Sequence, residues 1–163
     1  MPEKENEEKK YTVEEAHKKF AVENFNLTWD YIDKGSERTP QEEAMMIHSA
    51  HTSRFHWGQV GNDLHFQRGE WQISRVYALL NRGEPALYHA KQCLYWTEKN
   101  QFKGFDLAFC YESMARAHAI CGNKKEFEDF YDKAKITGES IEKNEDRDYF
   151  LKDLDSGNWN GMK

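Results

Sequence analysis

Apolar positions through the middle of this chain recur at helical spacing. Leu107, Tyr111, Met114, His118 and Cys121 step by four, three, four and three residues, which sets them along one stripe of a helix with about 3.6 residues per turn. Upstream, Val13, Ala16, Phe20, Val22, Phe25, Leu27, Trp29 and Ile32 give segment 11–34 an apolar side and predict one long helix, broken at Gly35 and Ser36. Thr39, Pro40 and Glu42 have the chemistry of an N-cap, a first helical residue and a first-turn acid, so a second helix is expected from there to Gly58.

The segments that follow repeat one another. GEWQISRVYALL runs into the breaker Asn81, Arg82, Gly83, and EPALYHAKQCLYWTEKN restarts with Pro85 near its first turn, where a missing N–H does no harm. DLAFCYESMARAHAIC ends at Gly122 and Asn123, and KKEFEDFYDKAKI follows. Ser74, Tyr77 and Cys93 are answered by Ala115, His118 and Ala134, each 41 positions later. An internal period of this length marks a stacked helical array. The small residues Ser74, Ala90, Cys93, Ala115 and Ala134 predict close approach of paired helices.

This pattern resembles the tetratricopeptide repeat, a two-helix unit with a small residue in mid-helix, an aromatic three later, a turn glycine and small residues on the second helix. Ser74, Tyr77, Ala86, Ala90 and Cys93 fill those places in the first copy, and Ala115, His118, Gly122, Phe127, Tyr131 and Ala134 in the second. The likeness covers 69–141, with a period longer than the usual 34 residues. AHTSRFHW followed by RGEWQISRVYALL is also similar to microbial proteins of this helical type. The resemblance implies an all-α fold: a tetratricopeptide-like right-handed stack of three antiparallel helical hairpins. NEDRDYFLKDL would form a short C-terminal capping helix, since a terminal repeat otherwise exposes its packing face. Residues 11–155 then make one domain, between a disordered charged tail at 1–10 and a flexible end at 156–163.

With 163 residues, the chain has room for one domain with a real core. Hydrophobic residues make up 38% and charged ones 32%, and no stretch has the length and apolarity of a membrane span or a signal peptide. The expected location is the cytoplasm. A net charge of −6, with bases interleaved among acids, argues against nucleic acid as a partner. Cys93, Cys110 and Cys121 lack CxxC spacing and fall inside predicted helices, so reduced core thiols are expected.

Two residue groups carry candidate chemistry. Four of the seven histidines, His48, His51, His56 and His65, lie within eighteen residues. If the chain folds back near Val60 and Gly61, His56 comes opposite His65 and His51 opposite Glu70, a donor set that zinc, nickel or ferrous iron accepts. Helical geometry counts against it, because positions five apart such as His51 and His56 diverge by about 140°. Histidines hydrogen-bonded across helices are the alternative. His118, on an apolar stripe, is expected to be a satisfied core histidine. The second group is Arg68, Trp71 and Arg75 with Gln72 nearby. The two arginines are two turns apart and suited to clamping a carboxylate, the indole supplying an apolar wall.

In tetratricopeptide-like stacks the first helix of each hairpin lines the concave groove. The resemblance therefore implies a partner-binding set of Arg68, Trp71, Gln72, Arg75, Glu112 and Arg116, with a peptide or protein as the partner. The other reading of Arg75 and Trp71 is structural, as an inter-helix ion pair and a packing residue. No cofactor is implied and no catalysis is expected, since nucleophile elbows, phosphate loops and dinucleotide fingerprints do not occur. A different class of function, a small metal-binding or hydrolytic protein with one transition-metal ion, rests on His48, His51, His56, His65 and Glu70. Self-association through an uncapped face, giving a homo-oligomer, is a third.

Overall fold

The computed structural model describes residues 8–163, so most of the expected charged tail lies outside the described residues. Among them are seven α-helices and no strand: α1 (Val13–Asp33), α2 (Pro40–Val60), α3 (Asp63–Leu79), α4 (Gly83–Asn100), α5 (Gly104–Cys121), α6 (Lys124–Glu139) and α7 (Asn144–Asp155). None of these helices is long and apolar enough to cross a membrane.

Local chemistry sets the first boundaries. Thr12 Oγ1 accepts the Glu15 N–H at 3.1 Å while the Glu15 carboxylate accepts the Thr12 N–H at 3.3 Å. Thr39 and Glu42 make the same reciprocal cap ahead of Pro40. Each arrangement satisfies backbone donors that a helix start otherwise leaves without partners. Gly122, at φ +79°, ends α5 in the left-handed conformation that glycine adopts without steric cost.

Helices that follow one another pack against one another from α1 through α7, and α3 also meets α5, and α5 meets α7. α3, α5 and α7 therefore form a shared layer in a helical stack. The period survives in the element boundaries, since α5 starts 41 residues after α3, and α6 starts 41 after α4. Small residues sit at the close approaches: Ala86, Ala90, Cys93, Ala115 and Ala134 are fully buried. Ser74 Oγ donates to the Ala86 carbonyl at 2.8 Å. Gly83 lets α4 start against α5, because a Cβ there would stand 2.8 Å from Cys121 Sγ.

The main core gathers Trp71, Cys93, Phe109, Phe127, Phe150, Leu154 and Trp159. Phe150 fixes α7 to this core by lying over Gly138, where an added Cβ would fall 2.2 Å from its ring. The chain end at 156–163 is mostly exposed but makes contacts with the core. Trp159 is buried against Phe127 and Tyr131, the Arg116 guanidinium lies 4.0 Å from its ring centroid, and Asn160 Nδ2 donates to the Ala119 carbonyl at 3.0 Å. An aromatic residue among small polar ones lies on no helical stripe. Cys93 and Cys110 are buried thiols, whereas Cys121, at the last turn of α5, is exposed rather than in the core.

Candidate functional site

A buried ion cluster ties α3, α5 and α7 together. Glu112 has no exposed surface and accepts from Arg75 Nη2 at 2.9 Å, from Trp71 Nε1 at 3.2 Å and from Arg116 Nε. Arg75 also grips Asp153 with two bonds of 3.1 and 2.6 Å, and Arg116 Nη1 donates to the Ser156 carbonyl at 3.2 Å. Burial alone would raise the Glu112 pKa, but Arg75 and Arg116 outweigh it and hold the carboxyl below its usual range. Burial likewise disfavours the Arg75 charge, and Glu112 and Asp153 more than restore it. Arg75 and Arg116 are 41 residues apart, as are Glu112 and Asp153. Two successive rungs of one ladder therefore occupy this layer.

Beside the ladder is an open pocket of about 340 Å³, walled by Phe25 and Trp29 of α1, Trp71 of α3, Phe105 and Phe109 of α5 and Tyr149 of α7. Trp29 stacks on Trp71 with centroids 5.8 Å apart, and Phe109 meets Trp71 edge-on at 5.3 Å. Gln67 also borders it, and its rim carries Arg68 and Asp106, joined by bonds of 2.9 and 3.2 Å. Arg68 is half-exposed. Of the partner-binding residues expected from sequence, Arg68 and Trp71 line this pocket. Gln72, Arg75, Glu112 and Arg116 do not reach it and lie buried. Gln72 donates instead to the Phe25 carbonyl at 3.0 Å.

Phe25, Trp29, Phe105, Phe109 and Tyr149 also wall the pocket and are residues that helical spacing alone does not bring together. Their aromatic side chains recur on first helices of successive pairs and on α7, but only the stack sets them around one space.

The five metal candidates are not brought to one point. His56 Nδ1 lies 2.8 Å from Nδ1 of His17 on α1, a partner 39 residues away. His65 Nδ1 accepts the Asn62 N–H at 3.1 Å as part of the α3 cap, and its ring lies flat on Trp57 with centroids 3.9 Å apart. His51 Nε2 is bonded to the Tyr77 hydroxyl at 2.8 Å. Glu70 is shared between Arg54 at 3.1 Å and His89 at 2.6 Å, and His48 borders a separate cleft with Ile47 and Leu80. Among the described residues no three His, Cys, Asp or Glu side chains are grouped to hold a metal ion. The physical reason is angular. Side chains of α2 fan out towards α1, α3 and α4 instead of sharing one face.

Burial lowers the pKa of His51, His56, His65 and His118; a neighbouring His89 adds to the effect at His51 and His17 at His56. His118 is otherwise satisfied, bonded to Asn123 at 3.1 Å and stacked on Phe130. A histidine with a depressed folded pKa takes its proton more readily in the unfolded chain, so its contribution is full above about pH 6.5 and declines as pH falls below that. The guanidinium unfolding midpoint is expected to be lower at about pH 5.5 than at about pH 7.5. An equal or higher midpoint at the acid value contradicts this account of the histidines.

No protein-family profile, curated protein or solved structure matches the chain.

Proposed function

We propose that this chain is a tetratricopeptide-like stack of three helical hairpins closed by α7, and that it is a binding module rather than an enzyme. It holds a segment of a peptide or protein partner against the concave side formed by its odd-numbered helices. The observation that carries the reading is the aromatic pocket between α1, α3, α5 and α7. Its apolar walls, open mouth and charged rim are the features by which a groove takes an apolar anchor side chain and orients what flanks it. The ion ladder supports the reading by fixing the walls. Arg75 and Arg116 are spent on Glu112, Asp153 and the Ser156 carbonyl, so the contact surface is the ring-lined space beside them.

The test is to select binding peptides from a random library displayed on phage and measure them against a pocket variant. Tyr149 is 54% exposed, so Tyr149→Arg puts a charged side chain at the pocket wall without emptying the core. Selected peptides are expected to bind Tyr149→Arg at least about tenfold more weakly than the parent protein, with the melting temperature unchanged. Peptides that bind both proteins equally would overturn the reading.

A further inference from the structure

Gln67 is the polar residue that the pocket walls leave half-used. Its side chain is 99% buried by its surroundings, at 1% exposure, and borders the pocket. Its Nε2 donates to Thr97 Oγ1 at 3.2 Å and to the Asp106 carbonyl at 3.0 Å. The orientation of this amide is fixed by chemistry. The Asp106 carbonyl can only accept, and Thr97 spends its own proton on the Cys93 carbonyl at 2.7 Å, so both partners require the NH₂ end. Oε1 is thereby turned away from both, and it accepts no hydrogen bond from any described residue. What little of Gln67 is exposed borders the pocket.

We infer that the pocket recognises a tryptophan side chain of the partner, whose indole N–H donates to Gln67 Oε1 while its rings pack among Trp29, Trp71, Phe105 and Phe109. The inference rests on the groove reading and names its anchor. An apolar ring lacking a donor would desolvate Oε1 and leave it without a partner. A phenol can also donate to Oε1, but it adds acceptor lone pairs while both Gln67 amide hydrogens are already used. Indole is a donor only, with a large flat apolar body, and it suits a site of six aromatic side chains bordered by the unpartnered Gln67 oxygen.

The probe is N-acetyl-L-tryptophanamide, compared by calorimetry with its benzothienylalanine analogue, in which sulfur replaces the ring N–H at nearly the same shape. The intact protein is expected to bind the tryptophan probe about tenfold more tightly than the analogue. It should also lose both in Tyr149→Arg. Equal affinity for the two probes overturns the donor rule and leaves the groove reading standing. Failure of the tryptophan probe to bind, while selected peptides still depend on Tyr149, overturns it as well. Loss of that Tyr149 dependence is the separate result that removes the groove reading. Gln67→Met, which keeps the side-chain length and has no amide oxygen, supplies a second readout. If it folds, the preference for indole over the sulfur analogue is expected to vanish, because the acceptor is gone. A preference that persists there while the fold is intact counts against Gln67 as the acceptor.

Discussion

Glu112→Ala is expected to destabilise the fold by about 3–5 kcal/mol, the usual cost of removing one partner from a buried ion pair. The size follows from what remains. Arg75 and Arg116 would stand side by side with only Asp153 and carbonyl oxygens to face them, and Trp71 Nε1 would lose its acceptor. Neither guanidinium can shed its charge, because arginine stays protonated at any pH a protein survives. Glu112→Gln should cost less, since an amide oxygen can still accept from Trp71 and one arginine. The same linkage has a pH signature. The Glu112 pKa is depressed in the folded chain, so its stabilisation is present above about pH 4.5 and is lost as pH falls through the folded value. Urea unfolding at neutral pH measures the effect. A loss below about 1 kcal/mol would mean that the ladder is solvated and that α7 is held by other contacts.

Phe150→Ala is expected to cost a similar amount, about 3–5 kcal/mol, through the cavity left beneath α7. Phe150 is fully buried, meets Phe109 edge-on with centroids 4.8 Å apart, and fills the space that Gly138 leaves. Its loss reaches further than its own contacts. α7 carries both Tyr149, a wall of the pocket, and Asp153, an anion of the ladder. A loosened α7 should therefore raise amide exchange along 144–155 more than along α3 or α5, and weaken peptide binding even though residue 150 does not line the pocket. Uniform exchange across all helices would instead mean that α7 unfolds only with the whole.

Much of the fold was legible because it is periodic. The spacing of Leu107, Tyr111, Met114, His118 and Cys121, the caps at Thr39 and Gly122, and the 41-residue offset all correspond to helices and their boundaries. The same offset reaches further along the chain. It links Arg75 to Arg116 and Glu112 to Asp153, and continues from His118 to Trp159, which signals that the repeat runs on into α7 and the chain end. The pocket was less legible. Arg68 and Trp71 were accessible to the argument because they share a helix face, whereas Phe25, Phe105 and Tyr149 meet them only through the packing of separate helices. The histidines were misleading for the converse reason. Closeness in sequence along α2 and α3 put His48, His51, His56 and His65 together on paper, but each points to a different neighbour, and the partner of His56 is His17, far upstream.

The most direct measurement of the central claim, that the working surface is the ring-lined space between α1, α3, α5 and α7, uses the protein's own five tryptophans. With the indole nitrogens labelled, each gives one resonance as an unlabelled phage-selected peptide is titrated in. Trp29 and Trp71, which wall the pocket, are expected to shift together and saturate, while Trp96, packed on Phe66, and Trp159, buried against Tyr131, stay in place. Saturating shifts confined to Trp96 or Trp159, or none at Trp29 and Trp71, would contradict the account.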